Sequence, residues 1–484
     1  MGMTDAVAIL RRSPPRASDL FWLALAFIMV VVFSTFTSAE NLPVMLPIIT
    51  ATCGIVFFFW MLHQRQGRIF PFFETGAVYV AIVSLYTLYP LFGFISNGLS
   101  YTPFNDSRLY VAQPTPQEIG TIGWYYVVHL MSFIVAYLLV RGRLPRKQTR
   151  FKNPDQTTLL VVVLLYLVIK GFFLFLGLFF DLSAGSYSES YLVSGRLPLV
   201  LAQLWNHLNG AIVVLALVIM AALFGNYRKY RLLIFGWLIL LTLITFYRLG
   251  SRTELVLLLL SSAMMFHHLV KPIRFRLVVL VGVAGLCSFV ILGLQRRGLP
   301  LSELDLEFKP FAYASEFEII FANAYDLCRL KAKGVIGDLP VTFYLSDLLA
   351  LVPQQFIPFA KISPAVWYVH TFYPEYAAAG GGLAFGTISE SILGGGWLDL
   401  LGRGAFLGFI LAQVHRYYAT HHTTLWRFIF YVWVTVLSYQ LFRGTTFYLL
   451  GLSFYRFLPI LVGVKLLSAL LKGSIWTKPQ SSLS

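Results

Sequence analysis

Leu294-Gln295-Arg296-Arg297-Gly298 opens a polar stretch that closes at Gly394-Gly395-Gly396-Trp397. Between those marks the chain is crowded with Pro, Tyr, Trp and acids, while on both sides it runs through long apolar segments. A polar segment of this length between membrane spans is the natural place for chemistry, with the spans as the frame that holds it. The chain then divides into residues 1–295, a first set of spans; residues 296–396, one large loop with short helices; and residues 397–484, the last spans and a tail.

Composition fixes the class. The chain is 58% hydrophobic, 16% aromatic and 12% charged, with mean hydropathy +0.74. A soluble globular chain carries roughly 25% charged residues, so this is an integral membrane protein. The apolar runs are continuous rather than alternating, which argues against a β-barrel. The expected fold is an all-α polytopic bundle of about twelve spans of ~20 residues each. They fall near 20–38, 43–62, 76–96, 120–140, 157–180, 198–224, 232–249, 253–270, 277–295, 397–414, 427–441 and 446–470.

The net charge of +16 collects in the segments that follow every even-numbered span. These hold Arg65 and Arg68; Arg141 to Lys152; Arg228, Lys229 and Arg231; Lys271, Arg274 and Arg276; Arg416; and Lys472 with Lys478. Positive charge marks the cytoplasmic side, so both termini are expected there and the large loop on the outer face. No RNP motif, zinc finger or basic amphipathic helix is present, so no nucleic-acid partner is expected. Of the three cysteines, Cys53 and Cys287 fall in spans and Cys328 in the loop, and no disulfide is expected. Arg11, Arg12 and Arg16 precede an apolar run too long for a cleaved signal.

Part of the loop reads as helix. Ser315-x-x-Glu318 has capping-box spacing, and Phe317, Phe321, Ala324 and Cys328 recur at helical intervals. A second apolar stretch, Val341–Val352, stops at Pro353. Beyond it, Pro358, Pro364, Pro374 and the glycines predict ordered but irregular backbone.

A set of arginines breaks the charge rule. Arg248 and Arg252 flank the turn between two spans, Arg296 and Arg297 close another, Arg403 lies inside a span, and Arg443 sits at an outer span end. An arginine at a helix centre costs ~2.5–3.5 kcal/mol on insertion scales and less near the interface. Each could snorkel or pair with an acid such as Glu254. As a group they suit a phosphate, whose oxygens match the guanidinium fork. Neither a metal nor a cofactor is expected: there is no P-loop, no Rossmann fingerprint and no His-x-x-x-His pair on the outer face. His415, His421 and His422 read as solvated in a cytoplasmic loop, and His267-His268 as an interfacial pair. The short first outer loop has Glu40 as its only acid, which argues against metal-dependent polyprenol-phosphate glycosyltransferases.

In topology and in a series of short patches the chain resembles the Wzy-type oligosaccharide repeat-unit polymerases, which include the O-antigen and enterobacterial-common-antigen polymerases. The patches are Gly250-Ser251-Arg252-Thr253, Leu294-Gln295-Arg296-Arg297-Gly298, Gly386-Thr387-Ile388-Ser389-Glu390 followed by Gly396, and Phe442-Arg443-Gly444. The resemblance implies a GT-C-like frame in a bacterial inner membrane, with the large loop periplasmic. It implies transfer of a glycan from an undecaprenyl diphosphate carrier to a carrier-linked repeat unit. It implies, too, a chain-length-regulating co-polymerase as partner. Ligases that move glycan onto lipid A core resemble the same fold, and a lipid-linked oligosaccharide flippase is the reading without chemistry.

Such a transfer needs two things. The diphosphate leaving group must be neutralised, for which Arg252, Arg296, Arg297 and Arg443 are the candidates, and an acceptor hydroxyl must be activated. Candidate bases are Glu390, at the membrane re-entry, and His370, with Glu375 a third. Glu390 could instead simply pair with Arg403. Trp367, Tyr368 and Tyr373 are candidates to stack on sugars, or else form part of an interfacial aromatic belt.

Overall fold

The computed structural model describes residues 39–66, 72–97, 113–142, 155–179, 198–225, 252–274, 316–337, 341–378 except 350 and 353, 382–420 and 424–476, with isolated positions 236, 240, 277 and 278. Among the described residues there are helices and turns and no strand. In chain order come α1 (Leu42–Gln66), α2 (Thr75–Asn97), α3 (Pro116–Arg141), α4 (Gln156–Phe179), α5 (Leu199–Gly225) and α6 (Arg252–Leu269). The large loop contributes α7 (Glu316–Ala332), α8 (Val341–Leu348), α9 (Pro364–Phe372), α10 (Pro374–Ala378) and α11 (Thr387–Leu393). Then follow α12 (Trp397–Thr420), α13 (Leu425–Arg443), α14 (Tyr448–Leu452), a π-helical turn Ser453–Phe457, and α15 (Leu458–Trp476).

Among the described residues, seven segments are long and apolar enough to cross a membrane: Leu42–Arg65, Thr75–Ser96, Pro116–Arg141, Gln156–Phe173, Trp397–Thr420, Leu425–Arg443 and Leu449–Lys472. Two shorter apolar helices, Gly210–Gly225 and Leu257–Leu269, lie where spans 198–224 and 253–270 were expected. The chain is thus a helical, multi-pass membrane protein. The expected spans 20–38, 232–249 and 277–295 lie wholly or largely outside the described residues.

Local chemistry moves some boundaries. α3 starts at Pro116, ahead of the expected 120, because Thr115 and Glu118 close a capping box: the Thr115 N–H donates to Glu118 Oε2 at 2.8 Å and the Glu118 N–H to Thr115 Oγ1 at 3.3 Å. Pro364 and Pro374 do not mark irregular chain. Each opens a short helix, where a missing N–H costs nothing. The span expected at 446–470 corresponds to Leu449–Lys472, a continuous helix that includes the π-helical turn.

The packing is tightest where α12 lies along α3. A β-carbon at Gly404 would stand 2.6 Å from the His129 carbonyl oxygen and one at Gly408 2.5 Å from that of Phe133. Gly404-x-x-x-Gly408 is therefore a small-residue seam that lets two backbones touch. The loop helices are part of this core. Phe317 meets Tyr86 edge to face at 4.8 Å, Phe321 stacks on Tyr126 at 5.2 Å, and Ile320, Phe321 and Ala324 are buried. At the opposite end of the bundle Glu74, Arg141, His415 and Tyr431 are buried together. His415 is thus not a solvated loop residue: α12 carries it inside.

Candidate functional site

The loop re-enters the bundle through α11, whose seven residues Thr387 to Leu393 are all buried. Gly386 has φ +86°, and a β-carbon there would meet Ile320 Cγ2 at 2.9 Å, so glycine is required at this turn. The Thr387 hydroxyl donates to the Leu441 carbonyl at 2.6 Å, docking α11 on α13. At the other end the Lys331 Nζ donates to the carbonyls of Ile392 and Gly394 at 3.1 and 3.2 Å, satisfying acceptors that a helix C-terminus leaves open.

Glu390 is 1% exposed and sits in this re-entrant helix. Its Oε2 accepts from Arg403 Nη1 at 2.7 Å and from the Thr446 N–H and hydroxyl, each at 3.3 Å. Arg403 Nη1 also donates to Thr446 Oγ1 at 2.7 Å, and its Nε donates to Asp399 Oδ2 at 2.9 Å. The guanidinium carbon lies 5.9 Å from the Tyr344 ring centre. The pairing of Glu390 with Arg403, open in the sequence, is made. One cation faces two carboxylates, so Arg403 serves the acid here rather than receiving a phosphate.

The other sequence candidates divide. Arg443 ends α13, half-buried and three residues before Thr446. α6 packs on α13 and runs the other way, from Arg252 to the His267 that meets Phe73 at 5.0 Å. Arg252 is its first residue, about 25 Å along the axis from His268, at the same end as Arg443. Arg296 and Arg297 lie outside the described residues. His370 and Glu375 are exposed on α9 and α10, whereas Glu390 is buried.

The aromatic candidates behave differently from expectation. Tyr368 and Tyr373 are buried, and both donate to one oxygen of Asp326, at 2.7 and 2.6 Å. Burial raises the Asp326 carboxyl above its ordinary range, against the pull of the two hydroxyls and of Arg329 and Lys333. The two rings pin α9 to α7 and offer no face to a sugar. Trp367 is half-buried, edge-on to Phe372 at 5.7 Å. A better exposed platform went unnoticed in the sequence: Trp397, 42% exposed, stacks on Tyr125 at 3.9 Å.

Thr446, Asp399, Lys331 and Tyr344 were also missed. Only Asp399, four residues before Arg403, carried a local signal: acid and arginine one helical turn apart. Among the described residues, the buried Ser389 Oγ and Tyr126 Oη near the site have no hydrogen-bond partner. Buried polar atoms of that kind are held by water or ligand in most proteins. Among the described residues no group of three or more His, Cys, Asp or Glu side chains could hold a metal ion. Comparison with protein-family models, with curated proteins and with solved structures returned no match.

Proposed function

We propose that this protein is a metal-independent glycosyltransferase of the bacterial inner membrane that polymerises undecaprenyl-diphosphate-linked oligosaccharide repeat units at the periplasmic face, towards O-antigen or a related surface polysaccharide. The observation that carries the reading is the buried Glu390–Arg403–Thr446 constellation on a half-helix that re-enters the bundle beneath a helical, aromatic loop. A carboxylate fixed in that way can accept the proton of an acceptor hydroxyl. Arg403 and Asp399 hold its position, and the Thr446 N–H and hydroxyl fix the oxygen that faces them. Arg252 and Arg443, gathered at the same end, are the cations for the carrier diphosphate, with Arg296 and Arg297 assigned to it from the sequence. Trp397 on Tyr125, with Trp367, is the aromatic surface for sugar rings.

The test is polymerisation by purified protein on carrier-linked repeat units. Glu390→Gln should lose nearly all product while still binding the carrier. Lys at Arg252 or Arg443 should restore chain length poorly, because it keeps charge and loses the fork. Near-normal turnover by Glu390→Gln beside an inactive His370→Ala would move the base to His370 and favour the ligase reading. Single repeat units accumulating in a deletion strain support a polymerase; finished polymer stranded on its carrier would overturn it.

A further inference from the structure

Three neighbouring helical segments, α4, α5 and the run from α14 to α15, contain no acidic residue, yet they carry Lys170, Arg456 and Lys465 within their apolar lengths and Lys472 near the end of α15; Lys465 is exposed, whereas Lys170 and Arg456 are half-buried. α15 packs on α4, and α5 packs on α4 and on the π-helical turn. The pair Lys472–Asp155, at 2.7 Å, pins the end of α15 to the residue that precedes α4. From that pin Lys170 lies fifteen positions up one helix and Arg456 sixteen positions back along its antiparallel neighbour. At about 1.5 Å per residue both stand roughly 23 Å from the pin. Two like charges at one depth, in helices without an acid, call for an anion.

The seat is built. Arg456 is delivered by the π-helical turn, a bulge that re-aims a side chain and is frequent at functional sites. Its stem lies over Gly210, where an added β-carbon would stand 2.7 Å from Cγ and 2.8 Å from Nε. Glycine is thus what lets the arginine lie down at that level. Both cations are half-buried. The preceding Tyr455 donates through its hydroxyl to the Leu351 carbonyl at 2.6 Å, and Lys361 Nζ donates to the next carbonyl, Val352. The large loop therefore touches the helix at the residue next to Arg456.

We propose that Lys170 and Arg456 form an intramembrane seat for the phosphate of an anionic lipid, separate from the Glu390 site. The inference does not rest on the polymerase reading, since it concerns binding alone. The test is native mass spectrometry of the purified full chain titrated with phosphatidylglycerol, with a long-chain isoprenyl diphosphate and with phosphatidylcholine. Retention of the first two should fall about tenfold or more in Arg456→Gln and in Lys170→Gln, the scale of one lost charge-assisted contact. The net-neutral phosphatidylcholine should be unaffected. Gly210→Ala keeps both charges but displaces the arginine, and should weaken retention nearly as much. Preference for the isoprenyl diphosphate would identify a carrier-lipid site and preference for phosphatidylglycerol a bilayer-lipid site; either supports the seat. Wild-type retention in Gly210→Ala and in both glutamine variants, at matched melting temperature, would overturn it and leave two snorkelling side chains.

Discussion

The bundle holds a buried arginine–carboxylate centre at each end, and they are built differently. At the basic end Arg141 forks both oxygens of Glu74, Nε to Oε1 at 2.5 Å and Nη2 to Oε2 at 3.0 Å. Tyr137 donates to Oε1 at 2.6 Å, and His415 Nε2 lies 3.5 Å from Oε2. Burial alone would push the Glu74 carboxyl up. The charges of His415 and Arg141 and the bonds from Arg141 and Tyr137 outweigh it and hold it below its ordinary value. At the loop end Arg403 Nη1 donates to Glu390 Oε2 at 2.7 Å and its Nε donates to Asp399 Oδ2 at 2.9 Å. The first is a clasp that ties the α1–α2 turn to α3 and α12. The second has one cation on two acids beside a glycine-rich turn, so that replacing Glu390 leaves Arg403 its bond to Asp399.

The sharpest way to break that contrast is to neutralise each acid. Glu390→Gln should reduce polymerisation rate by ~10²–10⁴, the usual worth of a general base, with a modest shift in melting temperature because Arg403 keeps Asp399. Comparable loss of stability at both ends would make Glu390 a second clasp. Glu74→Gln strands Arg141 in the interior and should cost about 3–5 kcal/mol of stability, read as a lower melting temperature and less protein in the membrane. Glu74 also sets a pH dependence. Its folded pKa is lowered, so its contribution is complete above the unfolded carboxyl value of about 4.3 and is lost as pH falls through the lower folded value. Thermal melts from pH 7 downward should show that loss in wild type and not in Glu74→Gln.

Smaller effects sharpen the picture. Gly404→Val drives a side chain into the α3 backbone next to Arg403 and should cost about 1–3 kcal/mol. Because it moves the arginine rather than removing it, activity should fall more than stability. Equal losses would mean that the seam is structural only. Asp326→Asn keeps an acceptor for Tyr368 and Tyr373 but loses the charge, a change of roughly 0.5–1.5 kcal/mol. Limited proteolysis should then cut near α9 faster, with the bundle intact.

Much of the frame was legible in the sequence because apolar run length and basic loops report directly on the membrane. The register of α7 was legible too, since Phe321 and Ala324 bury at the intervals expected of them. Glu390 and its pairing with Arg403 could be read because a lone acid and a misplaced arginine stand out in an apolar chain. What escaped was long-range or geometric. Thr446 reaches Glu390 across 56 positions, and Lys331 reaches Gly394 across 63, with no pattern in the chain to announce either. Tyr368 and Tyr373 looked like a sugar platform because composition cannot say which way a ring turns. Their partner Asp326 lies 42 and 47 positions away. His415 was misplaced because α12 runs on to Thr420, past the expected span end at 414, and carries the imidazole inward.

The docking of α11 on α13 has a consequence for biogenesis. Glu390 is synthesised before the residues that hold it: Arg403 follows soon after, but Leu441 and Thr446 leave the ribosome about fifty residues later. Until α13 is in place, the acid has Arg403 but not the Thr446 N–H and hydroxyl, and Thr387 lacks the Leu441 carbonyl that docks α11. A nascent chain ending before Thr446 would therefore reach the membrane with its earlier helices in place and the Glu390–Arg403–Thr446 cluster incomplete, so assembly of that cluster waits on α13 and the turn that follows it.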